Sequence, residues 1–236
     1  MNDLIYKRKS IRKYDPMPLD AVMLAAVQAQ INTVTPLYPN IRYSVDIAPA
    51  AQVSARVAAP HYLIFGSEEK DGSLENSGFI GQQLSLYLLS QGFGSCWLGM
   101  AKPEEKEKSA LPFVICMSFG KPAEPLFRAA ADFKRKPLSA VSGGAPQGGD
   151  PRLEAARLAP SGMNAQNWYF ITDKGSIRCY RKKLNPLVGL ALGKISRIDM
   201  GIALCHIAEE SENFRFTKDA GAPEYKGYIY VGTAKG

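Results

Sequence analysis

The sequence predicts an α+β fold in which two similar halves are joined in one chain. Helical and strand patterns alternate along the 236 residues, and the order of elements in 1–142 recurs in outline in 143–236. A glycine-rich, nearly uncharged stretch, "SAVSGGAPQGGD" at 139–150, separates the two. We therefore predict a first lobe, 1–142, and a second lobe, 143–236, forming an internal pseudo-dimer with mixed or antiparallel sheets flanked by helices. Ordinary α+β alternation is the simpler alternative.

Two helices and two strands are predicted in the first half. "PLDAVMLAAVQAQI" (18–31) repeats its apolar residues at helical spacing, with a proline suited to the first turn. "HYLIFGS" (61–67) and "FVICMSFG" (113–120) are typical of buried strands. Between them, "FIGQQLSLYLLSQGFG" (79–94) is helical in period and ends at glycines that suit a C-cap.

The second half repeats this order. "PRLEAARLAP" (151–160) is a short amphipathic helix, and "WYFITDKGS" (168–176) is a strand leading into a turn. "RIDMGIALCHIAEESEN" (197–213) predicts a long helix, and "KGYIYVGTAK" (226–235) predicts a final strand. Two copies of about a hundred residues indicate duplication rather than a solenoid, whose repeats are about 20 to 50 residues long.

Composition excludes several classes of protein. A hydrophobic content of 46% with 22% charged residues is ordinary for a folded chain. The apolar runs are far shorter than the roughly 20 residues needed to cross a bilayer, so we expect no membrane partner. The opening "MNDLIYKRKS" lacks the apolar core of a secretory signal, so a cytoplasmic location is expected.

The charge balance and the cysteines limit the kinds of ligand that the chain could bind. The 29 lysines and arginines exceed the 22 acidic residues by 29 − 22 = 7, which fits an anionic small ligand or a nucleic acid. With only two histidines and no C-x-x-C pair, we expect no metal site. The four scattered cysteines, which we expect to be buried reduced thiols, are Cys96, Cys116, Cys179 and Cys205.

A basic motif near the start could bind phosphate. In "RKSIRKY" (8–14), Arg8, Ser10 and Arg12 share one face if the segment is extended, and Arg8 and Arg12 still align if it is helical. Two guanidinium groups and a hydroxyl suit charge-assisted hydrogen bonds to a phosphate. A solvated basic arm is the alternative.

Three further segments carry possible ligand contacts. The glycines of "GFGSCWLGM" (92–100) allow backbone N–H groups to approach a flat ligand, although a C-cap and tight turn would use them equally well. "DFKRKPL" (132–138) is a second cationic cluster, which could also be a solvated run. "LAPSGMNAQNW" (158–168) forms a polar turn directly after a predicted helix.

Taken together, "RKSIRKY", "GFGSCWLG", "FKRKPL" and "APSGMNAQNW" resemble the signatures of the flavin-dependent nitroreductase family, RRSIRKF, GLGSCWIG, a basic run before Pro-Leu, and APSxxNxQPW. The resemblance covers most of the chain and implies a nitroreductase-like fold with FMN. In ordinary members the Pro-Ser turn follows the first long helix, whereas here it lies in the second half. This resembles a subgroup with two lobes fused in one chain, and it implies one FMN per chain held by both lobes.

The resemblance also implies site residues. Arg8 and Ser10, helped by Arg135, would bind the phosphate, and Arg12 would approach the pyrimidine edge of the ring. The backbone near Leu98 and Gly99 would approach N5, with Cys96 against a ring face, and the polar turn would contact the ring edge and ribityl chain. The full implied set is Arg8, Lys9, Ser10, Arg12, Cys96, Leu98, Gly99, Arg135, Pro160, Ser161, Gly162 and Asn164.

Three residues depart from the family pattern. Gly162 replaces a frequent second serine of the turn, Asn167 replaces proline before Trp168, and Phe133 stands where some members have lysine. These departures bear on the affinity for the cofactor more than on the existence of the site. Trp168 is expected in the core.

The implied activity is two-electron reduction of a small electron-poor acceptor, such as a nitroaromatic or quinone, with NADH or NADPH as donor in a ping-pong sequence. No side-chain acid or base is implied as catalytic, and His61 and His206 are expected to be structural. The chain would be a monomeric pseudo-dimer or a weak homodimer. One alternative is an FMN-binding protein without reductase activity, and a less favoured one is a basic nucleic-acid-binding protein.

Overall fold

The computed structural model describes residues 2–104, 111–144 and 149–236, and it confirms an α+β fold. Within these ranges the helices are α1 (Asn2–Ile5), α2 (Ala21–Ile31), α3 (Ser73–Ser90), α4 (Leu138–Val141), α5 (Pro151–Leu158) and α6 (Pro186–Glu209). The strands are β1 (Tyr43–Pro49), β2 (Val53–Ser54), β3 (His61–Ser67), β4 (Gly94–Leu98), β5 (Lys102–Pro103), β6 (Phe113–Gly120), β7 (Ser142–Gly143), β8 (Trp168–Asp173), β9 (Ser176–Lys182), β10 (Arg215–Thr217) and β11 (Tyr228–Lys235).

Each half contributes a sheet. The first sheet has the order β1-β3-β6-β4 and is antiparallel throughout. The second has the order β10-β11-β9-β8-β7, and it is mixed because β7 runs parallel to β8. Strands β2 and β5 form a separate two-stranded ribbon. The predicted antiparallel and mixed sheets are therefore present, while the proposed lobe boundary after residue 142 falls within β7 and stays a prediction.

The sequence patterns missed several strands and placed the starts of two helices wrongly. Strands β1, β4 and β9 were not predicted, and the segment expected as a C-cap and turn at 92–100 contains β4. Its glycine, serine and cysteine have little intrinsic strand preference, so pairing with β6 decides the conformation. Both long helices also begin earlier than predicted, α3 at Ser73 and α6 at Pro186. The first turns of α3 are buried on nearly every side, which hides the helical periodicity.

The start of α6 and the glycine-rich stretch also differ from the predictions. Asn185 caps α6, because its side-chain oxygen accepts a hydrogen bond from the Val188 N–H at 2.8 Å, and Pro186 occupies the first turn. Of the predicted connection at 139–150, residues 138–141 form α4 and 142–143 form β7, while 145–148 lie outside the described residues.

Helices α3 and α6 cross at the centre of the molecule, where their backbones touch at two glycines. A Cβ added at Gly78 would lie 2.1 Å from the Ile198 carbonyl oxygen, and one added at Gly201 would lie 1.9 Å from the Glu75 carbonyl oxygen. Real side chains do not approach backbone atoms so closely, so only glycine allows this crossing. The crossing joins the halves into one core, which includes Phe65 of the first sheet and Phe170 of the second.

An ion pair fixes the same crossing electrostatically. Glu75, which is buried on α3, accepts hydrogen bonds from Arg197 of α6 at 2.8, 2.9 and 3.1 Å. A bidentate ion pair of this kind fixes the relative orientation of the two side chains as well as attracting them, because the planar guanidinium contacts both carboxylate oxygens. The pair therefore sets the rotation of one helix against the other.

Replacement of Gly201 by alanine should destabilise the fold, because its methyl group would meet the Glu75 carbonyl oxygen of the facing backbone. We expect the free energy of unfolding to fall by about 1–3 kcal/mol or more, as for other overpacked sites. Urea denaturation followed by circular dichroism measures the change.

Gly193→Ala is the matched control on the same helix, since its added Cβ has no atom within 4 Å among the described residues, apart from the adjoining helix backbone. That variant should be stabilised by roughly 0.5–1 kcal/mol through helix propensity. Equal stability changes in the two variants would contradict the close crossing.

Candidate functional site

The basic segment at 8–14 runs extended between β4 and the chain that follows β6. The Ile11 N–H donates to the Ser95 carbonyl oxygen at 3.0 Å, and the Arg128 N–H donates to the Lys7 carbonyl oxygen at 2.9 Å. Ile11 packs on Gly94, where an added Cβ would lie 2.5 Å from the isoleucine side chain. Of the two geometries that the sequence left open, the extended one is therefore present.

Three arginines meet beneath this segment, and we call Arg8, Arg128 and Arg135 the guanidinium cluster. The Arg128 and Arg135 guanidinium carbons lie 4.7 and 5.7 Å from the centre of the Phe133 ring. Burial, together with repulsion from the other two arginines, lowers the pKa of Arg8 to about 9, and burial lowers the pKa of Arg135 to about 10. All three carry positive charge at neutral pH.

The cluster has unused hydrogen-bond donors. Arg8 Nη1, Arg128 Nε and Arg135 Nε are buried and find no hydrogen-bond partner among the described residues. Buried donors are rarely left unpaired, and charged ones least of all. The arrangement fits a ligand with several negatively charged oxygens, as a phosphate has. Phe133, in the position where some family members have lysine, stacks on two of these arginines instead.

The polar turn of the second half reaches this cluster directly. Arg135 Nη1 donates to Asn164 Oδ1 at 2.6 Å, and Asn164 Nδ2 donates to the Lys134 carbonyl oxygen at 2.6 Å. Inside the turn, Ser161 Oγ accepts a hydrogen bond from the Gln166 N–H at 3.1 Å. The structure thus brings the predicted residues Arg8, Arg135 and Asn164, from opposite halves, to one place.

The turn holds an unusual backbone conformation. Met163, Asn164 and Gln166 have φ values of 51°, 56° and 48°, which place three non-glycine residues in the left-handed region. Such residues persist only where the surroundings hold them, and they cluster at functional sites. Here Lys136 supplies much of the restraint, because its N–H donates to Gln166 Oε1 at 2.8 Å and its Nζ donates to the Ala165 carbonyl oxygen at 2.7 Å.

A cavity of about 320 Å³ opens between the halves, next to the turn, and we call it the interlobe cavity. Gly99 and Gly162 form facing parts of its wall, and Ile195 of α6 lies between them. An added Cβ at Gly162 would lie 2.4 Å from Ile195 Cγ2, which explains glycine where the family often has serine. The lining residues are Trp97, Gly99, Met100, Ile115, Gly162, Met163, Ala165, Asn167, Leu192, Ile195, Ser196, Ile198, Asp199 and Ile202.

The remaining predicted residues occupy different surroundings. Arg12 is exposed, and with Lys9 and Ser10 it borders a shallow basin of about 470 Å³. The Lys9 ammonium pairs with Glu124 at 3.0 Å, so it is already engaged. The side chain of Leu98 packs in a small apolar cluster with Tyr14 and is not among the residues that line the interlobe cavity.

Cys96 lies next to the basic segment and is a free, buried thiol. Burial raises its pKa, although Arg12, Arg8 and a hydrogen bond from Ser10 act in the opposite direction. The thiol therefore stays protonated at neutral pH. The other three cysteines are also free and buried, as the sequence predicted.

A buried chain of polar side chains connects the two halves behind the site. Trp97 Nε1 donates to Gln82 Oε1 at 3.3 Å, and the Gln82 amide donates to His206 Nε2 at 3.1 Å. His206 Nδ1 donates to the Ala155 carbonyl oxygen at 2.9 Å. Burial, with Arg8 and Arg135 nearby, lowers the pKa of His206 to about 3, so its imidazole is neutral. The expected structural role of His206 agrees with these contacts.

Sequence reasoning missed Arg128, Gln82, Ser196 and Asp199. Asp199 carried a signal, because it lies within an otherwise apolar stripe of a predicted helix, where a carboxylate is expensive to bury. Arg128 carried none, since its place in the cluster depends on the path of the chain after β6. The described residues contain no group of three metal-binding side chains and no helix long and apolar enough to span a membrane.

The fold and site define a class: an α+β protein of nitroreductase-like fold, with a cationic cluster and an apolar cavity where its halves meet. The chain belongs to the nitroreductase family, because a family model described as "Putative TM nitroreductase" matches residues 1–211. It is therefore a nitroreductase-like oxidoreductase. No curated protein matches the chain.

One solved structure supports the fold, and two others show weaker similarity. A "putative nitroreductase" from Thermotoga maritima superposes with a TM-score of 0.67 at 20% identity, covering 99% of this chain and 91% of that one. A nitroreductase family protein from Clostridium difficile 630 gives 0.48 at 17% identity, covering 59% and 95%. An FMN-dependent nitroreductase from Clostridium difficile R20291 gives 0.43 at 15%, covering 57% and 95%. The fold assignment depends on the first of these.

A His206→Gln variant should show a weaker loss of stability in acid. The native pKa of about 3 lies below the ordinary value of about 6.5, so in this window only the unfolded chain takes up the proton. Stability from this group is complete above about pH 6.5 and is lost as pH falls, by up to about 1.4 kcal/mol per pH unit. Urea denaturation at a series of pH values measures both profiles. Subtracting the variant's profile from that of the wild type removes the contributions of the other titrating groups. Parallel profiles would contradict a neutral, buried His206.

Proposed function

We propose that the chain is an FMN-dependent oxidoreductase that reduces small electron-poor acceptors, of the nitroaromatic or quinone type, with NADH or NADPH. Family membership supports an oxidoreductase. The observation that carries the cofactor assignment is the guanidinium cluster, whose three arginines each keep a buried, unpaired N–H and of which Arg135 contacts the turn from the other half. Both halves would then serve one FMN per chain, as in a pseudo-dimer.

The charge of the cluster supports a phosphate ligand. Burying a cation without a partner is unfavourable by several kcal/mol, and three arginines that repel one another add to that penalty. Among the described residues Asp132 is the acidic neighbour of Arg128, and none supplies a carboxylate that pairs with Arg8 or Arg135. A bound phosphate would remove the penalty and satisfy the free N–H groups. Ser10 lies 3.4 Å from Arg8 Nη2 and would add a hydroxyl donor.

The surroundings of the cluster suit the rest of the cofactor. Asn164 and the strained turn adjoin Arg135, where the ribityl chain would leave the phosphate site. Arg12 is exposed beside the cluster and would place positive charge near the ring. Gly99 is exposed at the wall of the interlobe cavity beside Ile195, and it has no side chain of its own to separate its backbone from a flat group. These residues would hold and orient the cofactor rather than react.

When bound, FMN would supply hydride transfer from the nicotinamide and to the acceptor. The chain's own contribution is binding, orientation and electrostatics. The positive charge of Arg12 would favour the more negative, reduced form of the ring. Closure of the cavity by apolar side chains would limit water near the reacting groups.

Replacement of Arg8 by methionine should weaken FMN binding by roughly 10- to 150-fold, because one charged hydrogen-bonding partner of the phosphate is lost, worth about 1.5–3 kcal/mol. Riboflavin, which has no phosphate, should bind wild type and variant alike. Quenching of flavin fluorescence on titration with protein measures both affinities. Urea denaturation checks the fold, which should be no less stable, since a buried charge has been removed.

Arg56→Met is the matched control, since it removes the same charge from an exposed site. Its affinity for FMN should equal that of wild type. An unchanged ratio of FMN to riboflavin affinity in the Arg8 variant would contradict the phosphate assignment.

The reductase activity has its own test. Flavin-loaded protein under argon should lose its visible flavin absorbance when NADH or NADPH is added, and a quinone should restore it. A yellow protein that neither nucleotide bleaches would be an FMN-binding protein without reductase activity. That outcome would overturn the activity and leave the cofactor assignment intact.

A further inference from the structure

The interlobe cavity has apolar walls and a polar floor. Ser196 and Asp199 of α6 are the floor residues, and both are buried, with 3% and 4% of their surfaces exposed. At the mouth, Met100 and Met163 are 72% and 78% exposed. Small-molecule sites commonly have this composition, with an apolar lining and a few well-placed polar groups. Flexible, polarisable methionines at the entrance suit an aromatic ligand.

The floor residues have hydrogen-bonding capacity left over. Ser196 Oγ has no hydrogen-bond partner among the described residues. Asp199 uses Oδ1 to accept a hydrogen bond from the Gly162 N–H at 2.9 Å, and the described residues supply no donor to its Oδ2. The hydroxyl and the carboxyl lie three residues apart on one helix, so they share a face. The Ser196 hydroxyl and the Asp199 carboxyl therefore line the same cavity, and both can form a further hydrogen bond to a ligand there.

We propose that the interlobe cavity binds a flat aromatic ring through a carbonyl or nitro oxygen, which accepts hydrogen bonds from the Asp199 carboxyl group and the Ser196 hydroxyl. Such an oxygen belongs either to the flavin ring or to an electron-poor acceptor, and the cavity recognises the chemistry common to both. The ring would pack between the cavity walls near Trp97 and Ile195. Only the identity of the ring depends on the proposed function.

Asp199 is the lone titratable side chain among the described residues that line the cavity. Burial raises its pKa to about 7, opposed only by the Gly162 hydrogen bond, so it is a donor below neutral pH. Charged groups on the surrounding elements point elsewhere. Lys136 donates to the turn carbonyls, Arg197 pairs with Glu75, and Lys194 lies 5.5 Å from the centre of the Phe113 ring. Ring binding should therefore weaken as pH rises through neutrality.

Titration of flavin-free protein with 1,4-naphthoquinone and with lumichrome, a flavin ring without phosphate, tests the proposal. Isothermal titration calorimetry at about pH 6 and about pH 8.5 should show roughly tenfold or greater weakening at the higher pH, since each unit above the pKa removes tenfold of the protonated form. Asp199→Asn keeps an amide donor and an acceptor for Gly162, so its affinity should be independent of pH. Glu212→Gln, a matched loss of charge at an exposed site, should follow wild type.

Ser196→Ala gives a second, independent measurement. Removing an unpaired buried hydroxyl should leave stability unchanged or raised, while ring affinity falls roughly 3- to 10-fold through the lost hydrogen bond. Failure of both rings to bind, or an Asp199→Asn profile that follows wild type, would overturn the proposal. If the folded Ser196→Ala variant binds the rings with unaltered affinity, the proposed role of the Ser196 hydroxyl is wrong.

Repeating the quinone titration with FMN bound assigns the ring. If FMN blocks the quinone, the cavity takes the flavin ring; if the quinone still binds, the cavity is the acceptor site. Both outcomes support a ring site on Asp199 and Ser196. Because the two probes carry no phosphate, their binding does not depend on Arg8, so failure of the phosphate assignment and failure of this proposal are separate results.

Discussion

The close crossing of α3 and α6 is the constraint on which the site depends. Because Gly78 and Gly201 carry no side chain, each helix backbone rests against a carbonyl oxygen of the other. Any larger residue would separate the helices, and the consequences would reach both ends of α6. Near its end, His206 would lose contact with Gln82 of α3. Towards its start, Ile195 would move away from the glycines that it covers, and the halves would no longer enclose a cavity.

Electrostatics separates the site from the rest of the molecule. Two other half-buried arginines pair with carboxylates, Arg197 with Glu75 and Arg152 with Asp150. Arg8 is buried and Arg135 is half-buried with no such partner among the described residues, and each retains an unpaired N–H. An anionic ligand would compensate this unpaired positive charge.

How far the sequence predicts this site depends on the kind of signal. The motifs around Arg8 and Asn164 could be found because each joins residues close in sequence, and the resemblance, which implies one cofactor held by both lobes, led us to expect that they meet. β4 could not be found, since pairing and not propensity determines its conformation. Arg128 could not be found either, because a lone arginine gains meaning only from its neighbours in space. Asp199 was visible as a carboxylate on an apolar helix face, a pattern that sequence reasoning can use.

Packing explains two of the three departures from the family pattern, Gly162 and Phe133. Gly162 has no side chain, which leaves room for Ile195. Its N–H donates a hydrogen bond to Asp199. Phe133 lacks the positive charge of a lysine, but its ring packs against the guanidinium groups of Arg128 and Arg135, which supply positive charge instead. In each case one lost polar group is replaced by contact with a neighbouring element. The second half thus supplies the turn and the cavity floor, and the first half supplies the arginines of the guanidinium cluster.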